Sequence, residues 1–149
     1  MGYNRSMAGF HFYHPIEIRY SDLDPQWHVN NVNFLVFLEQ ARLQYLIELG
    51  LWNGDSFLDL QIIIADTHIS YKSPILLGEK IRVGVQTARI SNKSMQLVYV
   101  IENPETGEIK AQAETINVGY DFHKQTTMRI SDSWRKIISE HEHIDLSIQ

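Results

Sequence analysis

Asn31-Val-Asn-Phe-Leu-Val-Phe-Leu-Glu-Gln-Ala-Arg-Leu-Gln-Tyr-Leu-Ile-Glu-Leu-Gly50 is the stretch that decides the fold. Residues 32–50 are strong helix formers, Gly50 stands where a C-terminal cap belongs, and the spacing predicts one helix of about five turns. Its first half, Val32, Phe34, Leu35, Val36, Phe37 and Leu38, is apolar on nearly every side. A helix of that kind is enclosed by other structure instead of lying on a surface, so something must wrap around it.

The candidate wrapping lies mostly downstream. Residues 61–74, 79–91, 94–103 and 108–122 are strand-like, and Ile81, Val83, Val85 and Thr87 alternate with Lys80, Arg82, Gly84 and Gln86, giving one buried and one wet face. Asn103-Pro-Glu-Thr-Gly107 is a hairpin connection, so the last two strands are antiparallel neighbours. In the last strand the apolar set moves from Ile109, Ala111 and Ala113 to Ile116, Val118 and Tyr120, which predicts a bulge near Thr115. Upstream, residues 15–20 alternate Ile16 and Ile18 with Glu17 and Arg19 as a first strand, after a polar N-terminal tail. Ser131 caps a short terminal helix, and His141 and His143 are read as solvated in a polar tail. Strand, long apolar helix and four long antiparallel strands make one α+β domain over residues 1–149, its sheet curled around a single helix.

Composition narrows the function. The 149 residues suit one domain, and 44% hydrophobic with 21% charged residues is ordinary globular usage. A net charge of -5 argues against nonspecific binding to nucleic acid or anionic membranes. With no cysteine there is no disulfide framework, thiolate metal site or cysteine nucleophile, which fits a reducing cytoplasm. The first ten residues do not read as a signal peptide, and no apolar run approaches the ~20 residues of a membrane span.

The chemistry concentrates just before the helix, in Arg19-Tyr-Ser-Asp-Leu-Asp-Pro-Gln-Trp-His-Val-Asn-Asn31. Read blandly, Asp22 and Asp24 make turns, His28 packs at the surface, and Asn30 and Asn31 cap the helix. Read functionally, the free N–H groups and positive end of the helix stabilise a developing oxyanion, while Asp24 attacks a docked carbonyl or activates a water. There is no Gly-x-Ser-x-Gly elbow and no phosphate-cradling glycine motif. Asp22, Asp24 and His28 on one short loop lack the spacing of a metal site, so neither a metal nor a cofactor is expected.

Arg19-Tyr-Ser-Asp-Leu-Asp24, His28-Val-Asn-Asn31 and Phe37-Leu-Glu-Gln-Ala-Arg42 resemble, in that order, the 4-hydroxybenzoyl-CoA thioesterase family of hotdog proteins. The likeness continues more weakly through Tyr71-Lys-Ser-Pro74, Gly78-Glu79 and the later strands. It implies a five-stranded antiparallel sheet around a long central helix and hydrolysis of an acyl-CoA or acyl-carrier-protein thioester. Asp24 then corresponds to the catalytic carboxylate and Asn31 to the position whose backbone N–H polarises the thioester carbonyl. His28 is expected to position the loop or a water and not to act as the essential base, and Asn30 to support the loop or position the substrate. Glu39 is a second candidate carboxylate, or a structural partner of Arg42 or of loop amides. A glycine often precedes the histidine in this family, and here Trp27 stands there. An enoyl thioester hydratase would place four residues between Asp and His, whereas Asp24 and His28 have three between them and Asp22 and His28 have five. A hotdog protein that binds acyl-CoA without turnover is the other alternative. Lys93, Lys72 and Arg89 are candidate contacts to the CoA phosphates, with Lys124 and Arg129 behind them. The acyl group is expected beside Phe34, Leu35 and Leu38, and the resemblance implies a homodimer or a tetramer of two dimers.

Overall fold

The computed structural model describes residues 9–146. The stretches 1–8 and 147–149, which include most of the polar N-terminal tail, lie outside them. In chain order the elements are β1 (Tyr13–Ile16), α1 (Asn31–Glu48), β2 (Ile62–Tyr71), β3 (Ile81–Ile90), β4 (Ser94–Glu102), β5 (Ile109–Asp121), β6 (Thr126–Thr127) and α2 (Asp132–Glu142). The strands pair antiparallel in the order β1-β3-β4-β5-β2, with β6 added at the end of β5. This is the hotdog architecture, a curled antiparallel sheet against one long helix. Between β4 and β5 the connection turns as expected, with Gly107 at φ +77°, a conformation that costs glycine nothing.

α1 packs against β3 and β1. Ala41, Tyr45 and Leu46 are fully buried there, and Phe34, Phe37 and Leu38 nearly so. The helix is not enclosed on all sides, however: Val32, Leu35 and Val36 are 60%, 39% and 47% exposed. The reason is its seating. A helix resting over β3 and β1 leaves the inner face of β2, at the other edge, largely uncovered.

Three further expectations are corrected. The first strand ends at Ile16 and not at Tyr20, because the backbone N–H of Arg19 turns out of the sheet to the Asp22 carboxylate (2.8 Å). β5 keeps its parity through Thr115: Ala111, Ala113, Thr115 and Asn117 all point inward and are buried, while Ile116 and Val118 lie on the other, half-buried face. Its inward row turns polar instead of bulging, and the register shifts fall at Ala65 in β2, at Ala88 in β3 and beside Lys110 at the start of β5. Finally, α2 continues through His141, which is half-buried with its ring edge-on to Tyr45, so only His143 is exposed. Burial lowers the pKa of His141. The helix runs on because Glu142 is drawn into the core, where it accepts hydrogen bonds from the Tyr45 hydroxyl (2.5 Å) and the Thr87 backbone N–H (3.0 Å).

Gly119 sits where the segment leading out of β6 crosses β5, and the Met128 N–H donates to its carbonyl (2.9 Å). A Cβ at this position would run into the Met128 carbonyl oxygen, a backbone atom that cannot swing away. Gly119→Ala should therefore destabilise the fold by about 2 kcal/mol, the usual cost of overpacking, seen as a lower urea midpoint at unchanged slope.

Candidate active site

The loop between β1 and α1 is held from within by Asp22. This buried carboxylate accepts the Arg19 N–H (2.8 Å) and pairs with the Arg19 guanidinium (2.9 Å). Its carbonyl meanwhile accepts the Asn30 N–H (2.8 Å) and the Asn33 side-chain amide (3.1 Å), so one residue ties both ends of the loop together. Burial by itself would raise the pKa of Asp22, but the hydrogen bonds and charge of Arg19 outweigh it and hold the carboxyl below its ordinary value.

Asp24 sits at the tip of the loop. Its N–H donates to the His28 carbonyl (2.8 Å), and its Oδ1 accepts the N–H groups of Gln26 (2.8 Å) and His28 (3.3 Å). Oδ2 has no hydrogen bond among the described residues. The tight turn puts Trp27 at φ +64°, so the position where the family often has glycine needs the left-handed backbone in this chain as well. The indole, largely exposed, stands edge-on to Tyr20 at 6.0 Å. Asn30 caps α1, its Oδ1 accepting the Val32 N–H (3.0 Å) and its carbonyl the Asn33 N–H (2.9 Å). The Asn31 N–H is left without a partner among the described residues, at the positive end of an 18-residue helix.

The opposite wall is the segment after β2. The Tyr71 hydroxyl donates to the Asn31 carbonyl (3.0 Å), and its ring meets Phe34 edge-on at 5.1 Å. Lys110 holds the rest. Its carbonyl accepts the N–H groups of Lys72 (2.8 Å) and Ser73 (3.2 Å), and its buried ammonium donates to the Pro74 carbonyl (3.0 Å) and pairs with Glu79 (2.9 Å) and Glu108 (2.5 Å). Burial would lower the pKa of that ammonium, but the two carboxylates raise it above its ordinary value. Ile75, inside the clamped stretch, accepts the Val29 N–H (2.9 Å) at its carbonyl, which joins this wall to the loop between β1 and α1.

Between the two walls is an open cavity of about 450 Å³ bordered by Asp24, Gln26, His28, Asn31, Tyr71 and Lys72, among others. Five of the residues singled out in the sequence thus share one space: Asp24, His28, Asn31, Phe34 and Lys72. Glu39 is elsewhere, eight residues or about 12 Å along α1, in a second cavity of about 270 Å³ where it makes no ion pair with Arg42 among the described residues. Lys93 and Arg89 lie toward the far end of the sheet, where the Lys93 ammonium meets Thr127 Oγ1 (3.5 Å). Along β5 the partner of Tyr71 (Ala111) and that of Ser94 (Val118) are separated by about 23 Å. Arg129 is paired with Asp132 (3.0 Å). Sequence reasoning did not single out Lys110, because a lysine at the start of a strand carries no sign of what tertiary packing buries against it.

An aspartate and an unsatisfied helix N-terminus facing one cavity on this architecture define a class, the hotdog thioester hydrolases. The model of the thioesterase-like superfamily matches residues 18–138, and the chain belongs to that family. The long-chain acyl-CoA thioesterase FadM of Escherichia coli is 28% identical over 130 residues, which cover 84% of this chain and 95% of FadM. A thioesterase from Thermus thermophilus, solved with coenzyme A and zinc, superposes with a TM-score of 0.80 at 28% identity over 92% of this chain and 98% of its own. A 1,4-dihydroxy-2-naphthoyl-CoA thioesterase from Synechocystis shares the fold, with a TM-score of 0.76 at 18% identity over 87% of this chain and 96% of its own. No helix among the described residues is long and apolar enough to cross a membrane.

The lowered pKa of Asp22 makes its contribution to stability pH-dependent. That contribution is fully present above the unfolded-state value of about 3.9 and is lost as pH falls through the lower folded-state value. Asp22→Asn should consequently cost stability at pH 6, and the gap in urea midpoint between variant and wild type should narrow steadily below about pH 4.

Proposed function

We propose that this chain hydrolyses an acyl-CoA or acyl-carrier-protein thioester to a free acid and a thiol, with Asp24 as its catalytic carboxylate. The observation that supports the reading is that Asn31, whose N–H has no partner among the described residues, and Asp24, whose Oδ2 has none among them either, border the same cavity. A thioester carbonyl docked with its oxygen on that N–H is polarised by the helix end. Oδ2 then attacks the carbonyl carbon, expelling the thiolate and leaving an anhydride for water to open, or it takes the proton of a water that attacks instead. Each route passes through a tetrahedral adduct with its oxyanion at the former carbonyl oxygen, so both depend on the Asn31 N–H. His28 supports this geometry through its backbone N–H on Asp24 Oδ1, and Asn30 does so by capping the helix. Lys72, at the cavity edge, is placed to meet a phosphate of the carrier.

The same reading takes the chain as one domain that works as a homodimer, alone or paired again into a tetramer. β2 is a ten-residue edge strand that exposes Ile63 and Ile64, and beside it α1 exposes Val32, Leu35 and Val36. Long edges and apolar patches of this kind are covered in stable proteins. Antiparallel pairing of two β2 edges covers both, and it carries the partner's far sheet end, with Lys93 and Arg89, toward this cavity.

Asp24→Asn preserves shape and packing but can neither attack nor accept a proton, so kcat should fall by at least ~10²-fold at unchanged melting temperature. His28→Ala should lose only part of the activity, as measured by thiol release from a panel of acyl-CoAs. Equal losses in the two variants would reverse the roles assigned to them. Light scattering should give a mass at least twice the 17.4 kDa of one chain, and an active monomer would refute the assembly.

A further inference from the structure

The second cavity lies in the furrow that the seating of α1 leaves open along β2. On the inner face of β2 between the candidate active site, where Phe34 meets Tyr71, and this cavity stand Ile69 and Thr67, neither of them buried. The cavity itself lies between Leu43, Phe57, Leu60, Ile62, Ile64 and Phe122. Apolar walls of this kind suit an alkyl chain. The floor does not. Asn117 and Arg42 border the cavity, and both are buried in a polar chain that crosses the core: the Arg42 guanidinium donates to the Tyr99 hydroxyl (3.2 Å), that hydroxyl bonds Thr115 Oγ1 (2.7 Å), and the Asn117 amide nitrogen donates to the same Oγ1 (2.9 Å). Burial pushes the Tyr99 hydroxyl above its ordinary pKa, so it keeps its proton for this chain. The outer end of the chain is not satisfied. Asn117 is completely buried, and its Oδ1 has no hydrogen-bond partner among the described residues. A buried acceptor without a donor is costly, and few exist without a reason.

We propose that this cavity receives the far end of the acyl group and that the far end carries a hydroxyl, which donates to Asn117 Oδ1 and accepts from Arg42. The inference rests on the thioesterase reading and names its substrate class. A hydroxyl is the group that fits because it is donor and acceptor at once. A carboxylate would meet the acceptor Oδ1 and the neighbouring Glu39 with no proton to give, and an ammonium would meet the Arg42 charge. Length follows from the helix. Glu39 and Arg42 lie eight and eleven residues beyond Asn31, or about 12–17 Å along the axis, and this matches an extended chain of about ten to thirteen carbons at roughly 1.25 Å per carbon. Substrates of this class are products of reactions that oxygenate a medium-length acyl chain at or near its terminus.

The test compares decanoyl-CoA with 10-hydroxydecanoyl-CoA. Hydrophobic transfer alone favours the plain chain, so a preference for the hydroxylated one must come from hydrogen bonds that leave no buried group unpaired. Wild type should show a kcat/KM at least ~10-fold higher for the hydroxylated chain. Asn117→Leu, near in volume but apolar, should bring the ratio to one or below, mainly by losing the hydroxylated substrate. A wild-type ratio of one or less overturns the proposal whether or not the variant folds, and a preference that survives in folded Asn117→Leu overturns it equally. Hydrolysis of decanoyl-CoA that Asp24→Asn abolishes, without any preference for the hydroxyl, would remove this inference and leave the catalytic reading standing. Turnover of no acyl-CoA of any length would overturn both.

Discussion

Ala41, Tyr45 and Leu46 of α1 sit fully buried against the β3 and β1 side of the sheet, and the position of nearly everything else follows from that contact. Ala41 has no bulk beyond its Cβ, which lets the helix come close. The Tyr45 hydroxyl is fixed between Thr87 Oγ1 (2.7 Å) and the Glu142 carboxylate (2.5 Å), so the helix cannot roll without breaking buried polar contacts. Burial and the Glu142 charge push the Tyr45 hydroxyl well above its ordinary pKa, keeping it a donor. With the helix fixed on one side, its N-terminus is presented beside Tyr71 at the end of β2, and the inner face of β2 stays open as a furrow.

Buried charge does the positioning around the cavity. Asp22 and Lys110 are each 2% exposed, and each is satisfied by partners on different segments. Neither touches the space where a thioester would lie. Asp22 closes the loop between β1 and α1 on the cap of the helix, while Lys110 draws the stretch after β2 against β5. The two walls then meet through the Val29 N–H and the Ile75 carbonyl. Removing one partner of such an arrangement strands a charge in the core, which costs several kcal/mol in general, about 3–5. Replacing both by apolar residues would cost less stability but would release the geometry.

The inward row of β5 shows how buried polarity can be mistaken for a change of face. Ala111 and Ala113 leave room under the sheet, and Thr115 and Asn117 then continue the same row with hydrogen-bonding groups. Reading hydrophobicity alone, the eye moves to Ile116 and Val118 and infers a change of face. The strand makes no such change, because Arg42 and Tyr99 supply partners that let polar side chains remain inside.

By itself the sequence determined the elements, their order and the polar loop that borders the candidate site. The helix, the four long strands and the turn at residues 103–107 were legible because each depends on local periodicity and on backbone preferences of neighbouring residues. Asp24, His28, Asn30 and Asn31 were legible for a similar reason, since they lie within eight residues of one another at the mouth of a helix. What only the tertiary structure decided are relations between residues far apart in the chain: which face of α1 stays open, that Lys72 joins the cavity while Glu39 and Lys93 stand away from it, and that Lys110 and Asn117 are buried. These depend on where the helix comes to rest on the sheet and on which segments cross it, and that is settled by packing across the whole domain, which no local pattern records.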